Sequence, residues 1–325
     1  MTEHHVFITG AAGYVGRNLL RHFIAKGHRV TGLVRNAEAA DRVRAWGGEP
    51  VLGDMLSADL APLMVGADTL IHTAASVDHG PGSPAASVNP EGTRRVFDAA
   101  RQAGITEAIH ISTDSVLQDG RPLCNVDETT LYPSHPAGAY SAGKAEAERI
   151  AKRTAAAGQH VIILRPRMVW GRDDTTALPM LVEAVQSRKF AWISGGRYRS
   201  PTMHIANLCH VVDLALERGR SGEVYHVSDG PARTFRETVS GLLASQGLET
   251  PTKAVPRGMV RTVARICDRL HRVSGGRFRG PVSYQDYATS AVEITLDTRK
   301  AERDLGYQPV MSWEDGLAEL KAGQA

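Results

Sequence analysis

Little in this chain points to a disulfide, a metal or a membrane span. Its three cysteines, Cys124, Cys209 and Cys267, lie far apart and form no Cys-x-x-Cys pair. That excludes a disulfide framework and a thiolate zinc site, and it fits a reducing compartment. The thirteen histidines are scattered, none at ligand spacing with acids or cysteines, so no metal is expected. No stretch approaches the ~18 uninterrupted apolar residues of a spanning helix. The opening MTEHHVFITG runs straight into an apolar strand without a leader-like pattern, which predicts a cytoplasmic protein. Charge of one sign is lacking too: 38 Lys+Arg face 35 Asp+Glu, a net charge of +3. Bulk charge therefore gives no argument for nucleic acid as a partner. There is no internal repeat and no low-complexity tract.

What is present is an alternation of strands and helices. A chain of 325 residues with 42% apolar composition has room for one large α/β domain and a smaller partner. Short apolar runs at 6–9, 30–34, 50–52, 69–73, 108–112 and 160–164 read as buried parallel strands. Segments 15–25, 37–46, 89–103 and 140–156 between them have helical spacing, and right-handed crossovers then predict a doubly wound Rossmann-type sheet. Beyond 165 the pattern is less regular. Helices are predicted at 177–187, 205–219, 234–245 and 297–305, and a returning strand at 223–227. The expected organisation is a dinucleotide-binding domain over 1–165, with 205–228 packing back on it. A discontinuous C-terminal substrate lobe would comprise 166–204 and 229–325, with 251–281 as a mobile or covering segment.

The first strand ends in Gly10-Ala11-Ala12-Gly13-Tyr14-Val15-Gly16, a GxxGxxG turn that opens a helix. Gly10 permits the tight turn, Gly13 lets backbone approach a pyrophosphate, and Gly16 lets helix and strand pack closely. The helix N-terminus offers free N–H groups to phosphates. A strand before and a helix after the turn are the context that this reading needs. An NAD site places a carboxylate at the end of the second strand, to hold the ribose 2′-hydroxyl. Here that position holds Arg35, suited to a 2′-phosphate, with Arg17 as a second cation. NADP(H) is therefore preferred and NAD(H) is the alternative; the plainer reading of Arg35 is a solvated loop residue. Asp54 is either an acceptor for the adenine amino group or a helix cap.

Tyr140 and Lys144 stand one turn apart on one helix face. A phenol with a pKa near ~10 is a poor base at neutral pH without help. A neighbouring ammonium, with the positive nicotinamide, is expected to lower that pKa. The fifth strand ends in His110-Ile111-Ser112-Thr113-Asp114-Ser115-Val116, where ligands sit in an open α/β sheet. Ser112 or Thr113 could hydrogen-bond a substrate oxygen, the other capping the loop.

Jointly the TGAAGYVG turn, Asp54, the LIHTAA strand end, Asn89-Pro90-Glu91-Gly92-Thr93, HISTDSV, YSAGK, LRPRMVWG and the TRKAERDLGY stretch near the C-terminus resemble the extended short-chain dehydrogenase/reductase superfamily. They run in family order over essentially the whole chain. IHTAA with Ser76-Val77-Asp78, the LRPRMVWG junction and Ser312-Trp313-Glu314 look most like the 3β-hydroxysteroid dehydrogenase branch, and Val34-Arg35 looks like the NADPH-dependent dihydroflavonol reductases. The resemblance implies Tyr140 as acid/base, Lys144 as its activator and ribose clamp, and Thr113 as partner of the substrate oxygen. It gives Asn89 a supporting role and puts Ala12, Tyr14, Val15, Met55, Ala74, Ala75, Pro166 and Val169 with the glycines around the cofactor.

The implied function is interconversion of a secondary alcohol and a ketone on a hydrophobic substrate, steroid-like, terpenoid, flavonoid or 3-oxoalkanoate. Two rivals remain. Nucleotide-sugar dehydratases carry an acid where this chain has Ser115, and epimerases carry Tyr-Gly where it has Leu117-Gln118. Cofactor-sensing regulators lose the Tyr or Lys that this chain keeps. A homodimer through paired helices is a further expectation. Apolar residues at 259, 260, 263, 266, 267 and 270, with arginines on the other face, predict an amphipathic helix over 257–273. It is a lid, a contact with an anionic membrane surface, or a packing helix. Trp192, Tyr198 and His204 fall in the lobe, as substrate contacts or as core.

Overall fold

Val6 and Ile8 enter one apolar cluster and Phe7 another, and all three are fully buried. This is how a strand covered on both faces behaves. In the computed structural model, which describes residues 4–323, that strand is β1 (His5–Thr9). The others of the main sheet are β2 (Arg29–Val34), β3 (Glu49–Leu52), β4 (Thr69–His72), β5 (Glu107–Ile111), β6 (His160–Arg165) and β7 (Val224–His226). All seven run parallel in the order β3-β2-β1-β4-β5-β6-β7. The order reverses between β1 and β4, which opens a crevice beyond their carboxyl ends.

Helices α1 (Tyr14–Ala25) and α2 (Ala37–Ala45) cover one face, and α3 (Ala85–Gln102) and α4 (Ala139–Ala156) the other. After β6 follow α5 (Ala177–Gln186) and α6 (Ile205–Arg218). Leu208 and Val212 of α6 join Leu19 and Phe23 of α1 in one cluster, while β7 pairs with β6.

The remaining helices are α7 (Phe235–Ser245), α8 (Arg257–Val273), α9 (Tyr284–Ser290), α10 (Arg299–Leu305) and α11 (Trp313–Ala322). Short strand pairs stitch this part together: Val169–Trp170 with Met203–His204, and Leu123–Val126 with Ile294–Leu296. Neither α9, α11 nor the second of these pairs was expected from the sequence. Within the 251–281 stretch, residues Arg257–Val273 form the 17-residue α8, the amphipathic helix that the spacing predicts. Helix α3 starts at Ala85, upstream of Pro90. Its first turn lies against α4 so closely that a Cβ on Gly143 would stand 2.0 Å from the Ala85 carbonyl oxygen. Tertiary packing thus carries the helix past a proline that local propensity places near its start. Among the described residues no helix is long and apolar enough to cross a membrane.

Candidate active site

The glycine turn folds as its residues require. Gly10 has φ +69°, a conformation that a side chain disfavours. Gly16 packs on the turn: a Cβ there would lie 2.2 Å from the Gly10 carbonyl oxygen. Gly16→Ala is accordingly expected to cost about 1–3 kcal/mol of stability and to weaken dinucleotide binding; thermal melts with and without cofactor measure both, and an unchanged pair of melts would contradict it. Helix α1 starts at Tyr14 with no side-chain cap on its first N–H groups, which leaves them open to an anion. Gly13 is exposed and Ala12 and Val15 are partly buried.

Tyr14 is buried, its hydroxyl unpartnered, and burial, then the nearby Asp174, raises its pKa. Arg17 lies with its guanidinium 5.8 Å from the Tyr14 ring. At the end of β2, Arg35 is exposed and forms no ion pair among the described residues, while the neighbouring Asn36 caps α2 by accepting from Ala39 N–H at 2.9 Å. Asp54 takes a turn N–H from Leu56 at 2.8 Å, so one of its oxygens is a loop cap. Met55 packs against Gly92 of α3.

The crevice floor is pinned by side chains. His72 bridges Thr9 Oγ1, 2.7 Å away, and Thr93 Oγ1, 3.0 Å away. Burial, then Lys144, lowers its pKa to about 3, so the ring is neutral. Asn89 exchanges two hydrogen bonds with the Ser76 backbone, donating to its carbonyl at 3.1 Å and accepting its N–H at 2.7 Å. The loop that carries Ala74 and Ala75 is thereby fixed beside β1.

The hydroxyls after β5 divide their work. Ser112 donates to the buried Glu148 at 2.5 Å, a carboxylate that also takes a bidentate pair of bonds from Arg165 at 2.6 and 3.0 Å and one from Tyr132 at 2.7 Å. Burial pushes the Glu148 carboxyl up, but Arg165 and these donors hold it below its ordinary value. Thr113 accepts the N–H of Ser115 at 3.2 Å and stands near enough to Tyr140 to lower the phenol's pKa. Of the two candidates, Thr113 is the one at the phenol.

The phenol differs from the expectation. Burial raises the Tyr140 pKa to about 12, with Thr113 opposing and Asp114 adding to the rise. Lys144 is buried, donates to the Ile111 carbonyl at 2.7 Å, and drops to about 8 through burial, Glu148 opposing. In the chain by itself, desolvation outweighs the help that an ammonium one turn away was expected to give.

Two partners of this group come from far along the chain. The His79 ring lies 4.6 Å from the Tyr140 ring, centroid to centroid, with Nδ1 3.6 Å from Asp286 of α9. Gln285 of α9 donates to Ser141 Oγ at 2.9 Å and accepts Ser141 N–H at 3.1 Å. The sequence reading missed both; the Ser283-x-x-Asp286 capping box that sets α9 was the available signal. Beneath Thr113, buried Asp114 pairs with buried Arg167 at 2.6 Å, and Arg167 also donates to Ser200 Oγ and to the Thr289 carbonyl. Pro166 is buried beside this pair and Val169 is partly open. Trp192, Tyr198 and His204 are buried in the core: Trp192 donates to the Pro251 carbonyl, Tyr198 to that of Ser290, and His204 caps α6.

This arrangement sets a phenol, a hydroxyl and an amine beside the glycine turn, beyond the strand ends, and the chain as a whole is similar to known proteins. A family model for the NAD dependent epimerase/dehydratase family matches residues 6–228. A 4-hydroxy-2-methyl-3-oxo-4-farnesyl-3,4-dihydroquinoline-1-oxide ketoreductase of Stigmatella aurantiaca is 39% identical, over 98% of this chain and 96% of its own. A 3-beta-hydroxysteroid dehydrogenase of Mycolicibacterium neoaurum is 28% identical, over 97% and 89%. Among solved structures, DesIV, a dTDP-glucose 4,6-dehydratase from Streptomyces venezuelae with NAD and TYD bound, matches with a TM-score of 0.76 and 25% identity, over 98% and 96%. With the family model over residues 6–228 and a 39% identical relative matched over 98% of the chain, this chain belongs to the NAD dependent epimerase/dehydratase family.

Proposed function

We propose that this oxidoreductase is an NADP(H)-dependent ketoreductase that interconverts a secondary alcohol and a ketone on a hydrophobic substrate. The observation that carries the reading is the phenol of Tyr140 beside Thr113, with Lys144 one helical turn on and tied to the Ile111 carbonyl, beyond the strand ends where an open α/β sheet binds its ligands. The turn at Gly10, Gly13 and Gly16 with the uncapped α1 fits a pyrophosphate, and the unpaired Arg35 fits a 2′-phosphate. When bound, the nicotinamide supplies the hydride. Tyr140 would give its proton to the substrate's carbonyl oxygen, and the Thr113 hydroxyl would steady the same oxygen. Lys144 stabilises the phenolate left behind. In alcohol oxidation the proton returns to Tyr140.

A phenol held near 12 is protonated throughout the neutral range and is ready as an acid. The Lys144 ammonium, at about 8, is lost as pH rises through that value, and with it the support for the departing proton. Ketone reduction is therefore expected to hold through neutral pH and to decline above about pH 8. Initial rates across pH with NADPH and a panel of hydrophobic ketones test this; a rate that climbs through that pH would contradict it. Water elimination finds no acid here: Ser115 is buried without a carboxylate, and Asp114 is committed to Arg167.

Residues 166–204 and 229–325 form the substrate lobe in this reading. It also includes a cytoplasmic location and a homodimer, for which α3 and α4 offer an outer face. The relatives named above as a farnesylated-quinoline ketoreductase and a hydroxysteroid dehydrogenase support the hydrophobic substrate class.

A further inference from the structure

Helix α8 wears part of its apolar arc on the outside. Ala264 and Cys267 are buried against the rest of the chain, with Val260 packed beside them in the cluster around Tyr287. Met259, Val263, Ile266, Leu270 and Val273 are exposed, Ile266 at 52% and Val273 at 79%. Their spacing of four, three, four and three residues makes one continuous stripe, and exposed Phe278 follows just beyond the helix. An apolar stripe of this length left in water is unusual enough to need a partner.

The neighbouring face says which partner. Arg261, Arg265, Arg269 and Arg272 form a second stripe, and they line a groove with His135, Asp268 and Arg121, the last paired with Asp119 at 3.5 Å. None of the arginines of 257–279 is in an ion pair among the described residues; Arg265 rests on the Tyr284 ring. Residues 257–279 hold seven arginines against the single Asp268. With a net charge of +3 for the whole chain, the rest of the protein is net negative. A helix with adjacent apolar and arginine stripes, on an otherwise negative body, matches an anionic bilayer, apolar side in the acyl boundary and guanidinium groups at the headgroups.

We propose that α8 docks this protein on an anionic lipid surface, lying in the plane of the interface. Helix α8 adjoins the active site through residues off the exposed stripe. His271 meets Gly82 in the loop that carries His79, and Asp268 accepts the N–H of Tyr284 at 3.2 Å, at the start of the helix whose Asp286 and Gln285 reach His79 and Ser141. A substrate dissolved in lipid would thus have a short path to Tyr140. The docking itself does not depend on which ketone is reduced.

The test is co-sedimentation of the full chain with phosphatidylcholine vesicles, with and without phosphatidylglycerol. The expected result is binding that needs phosphatidylglycerol and weakens with salt. The double variant Ile266→Ser/Leu270→Ser should lose about tenfold or more in affinity, because the apolar insertion goes. Arg261→Glu/Arg269→Glu should lose a similar amount through charge. All four positions are exposed, and circular dichroism checks that each variant is folded. Val273→Trp should show a blue-shifted emission on phosphatidylglycerol vesicles only. The proposal falls if the wild type stays in the supernatant. It falls equally if Ile266→Ser/Leu270→Ser binds like wild type, which would mean a bare polyanion contact. Sedimentation velocity supplies the third overturning result: a wild-type dimer that this double variant abolishes would make the stripe a contact between copies.

Discussion

Tyr140→Phe is expected to cut kcat for ketone reduction by about a hundred- to ten-thousandfold, the range that a positioned general acid contributes. The dissociation constant for NADPH should move by less than about twofold, and the melting temperature should not fall. Only an oxygen is removed. The ring keeps its place against His79, Lys144 keeps the Ile111 carbonyl, and the glycine turn is untouched. Thr113 keeps the N–H of Ser115 at 3.2 Å. Single-turnover kinetics with a hydrophobic ketone, beside fluorescence titration of NADPH, separate chemistry from binding. A phenylalanine variant that retained wild-type turnover would show that another group gives the proton.

Arg35→Ala is the second large effect. A charge-assisted hydrogen bond is worth about 1.5–3 kcal/mol, so KM for NADPH should rise about 10- to 150-fold, while that for NADH changes little. The geometry is favourable for such selectivity: Arg35 follows the last residue of β2, is exposed, and has no carboxylate partner among the described residues to release first. Arg35→Asp should go further and reverse the preference, since a carboxylate at that point accepts from ribose hydroxyls and repels a phosphate. Equal losses with both dinucleotides would place the 2′-phosphate elsewhere and leave Arg35 a solvated loop residue.

The sheet and the placing of Tyr140 and Lys144 on one helix face were legible because their signals are local. Val6, Phe7 and Ile8 announce a strand covered on both faces, the glycine triplet announces the turn, and the four-residue step from Tyr140 to Lys144 places both on one helix face. Proton affinity was not legible. The expectation that Lys144 lowers the phenol rested on spacing alone, whereas the raised value of Tyr140 comes from burial under residues distant in sequence. The choice between Ser112 and Thr113 likewise turned on where Glu148 sits. The lobe was the least legible part. Its helices α9 and α11 are short, and each is set by a serine cap, Ser283 with Asp286 and Ser312 with Asp315, a weaker mark than a long amphipathic period. His79 and Asp286 meet only once the chain has folded.

Arg167 deserves a last consequence, because it is a hinge pin as well as a counter-ion. One guanidinium holds the sheet end through Asp114, the entry to the lobe through Ser200, and α9 through the Thr289 carbonyl. Any displacement of α9 would strand a buried charge, at a cost of several kcal/mol. Swapping lobes between relatives to change specificity must therefore transplant these three anchor points as one unit, or the transplanted half will close at a different angle over the phenol.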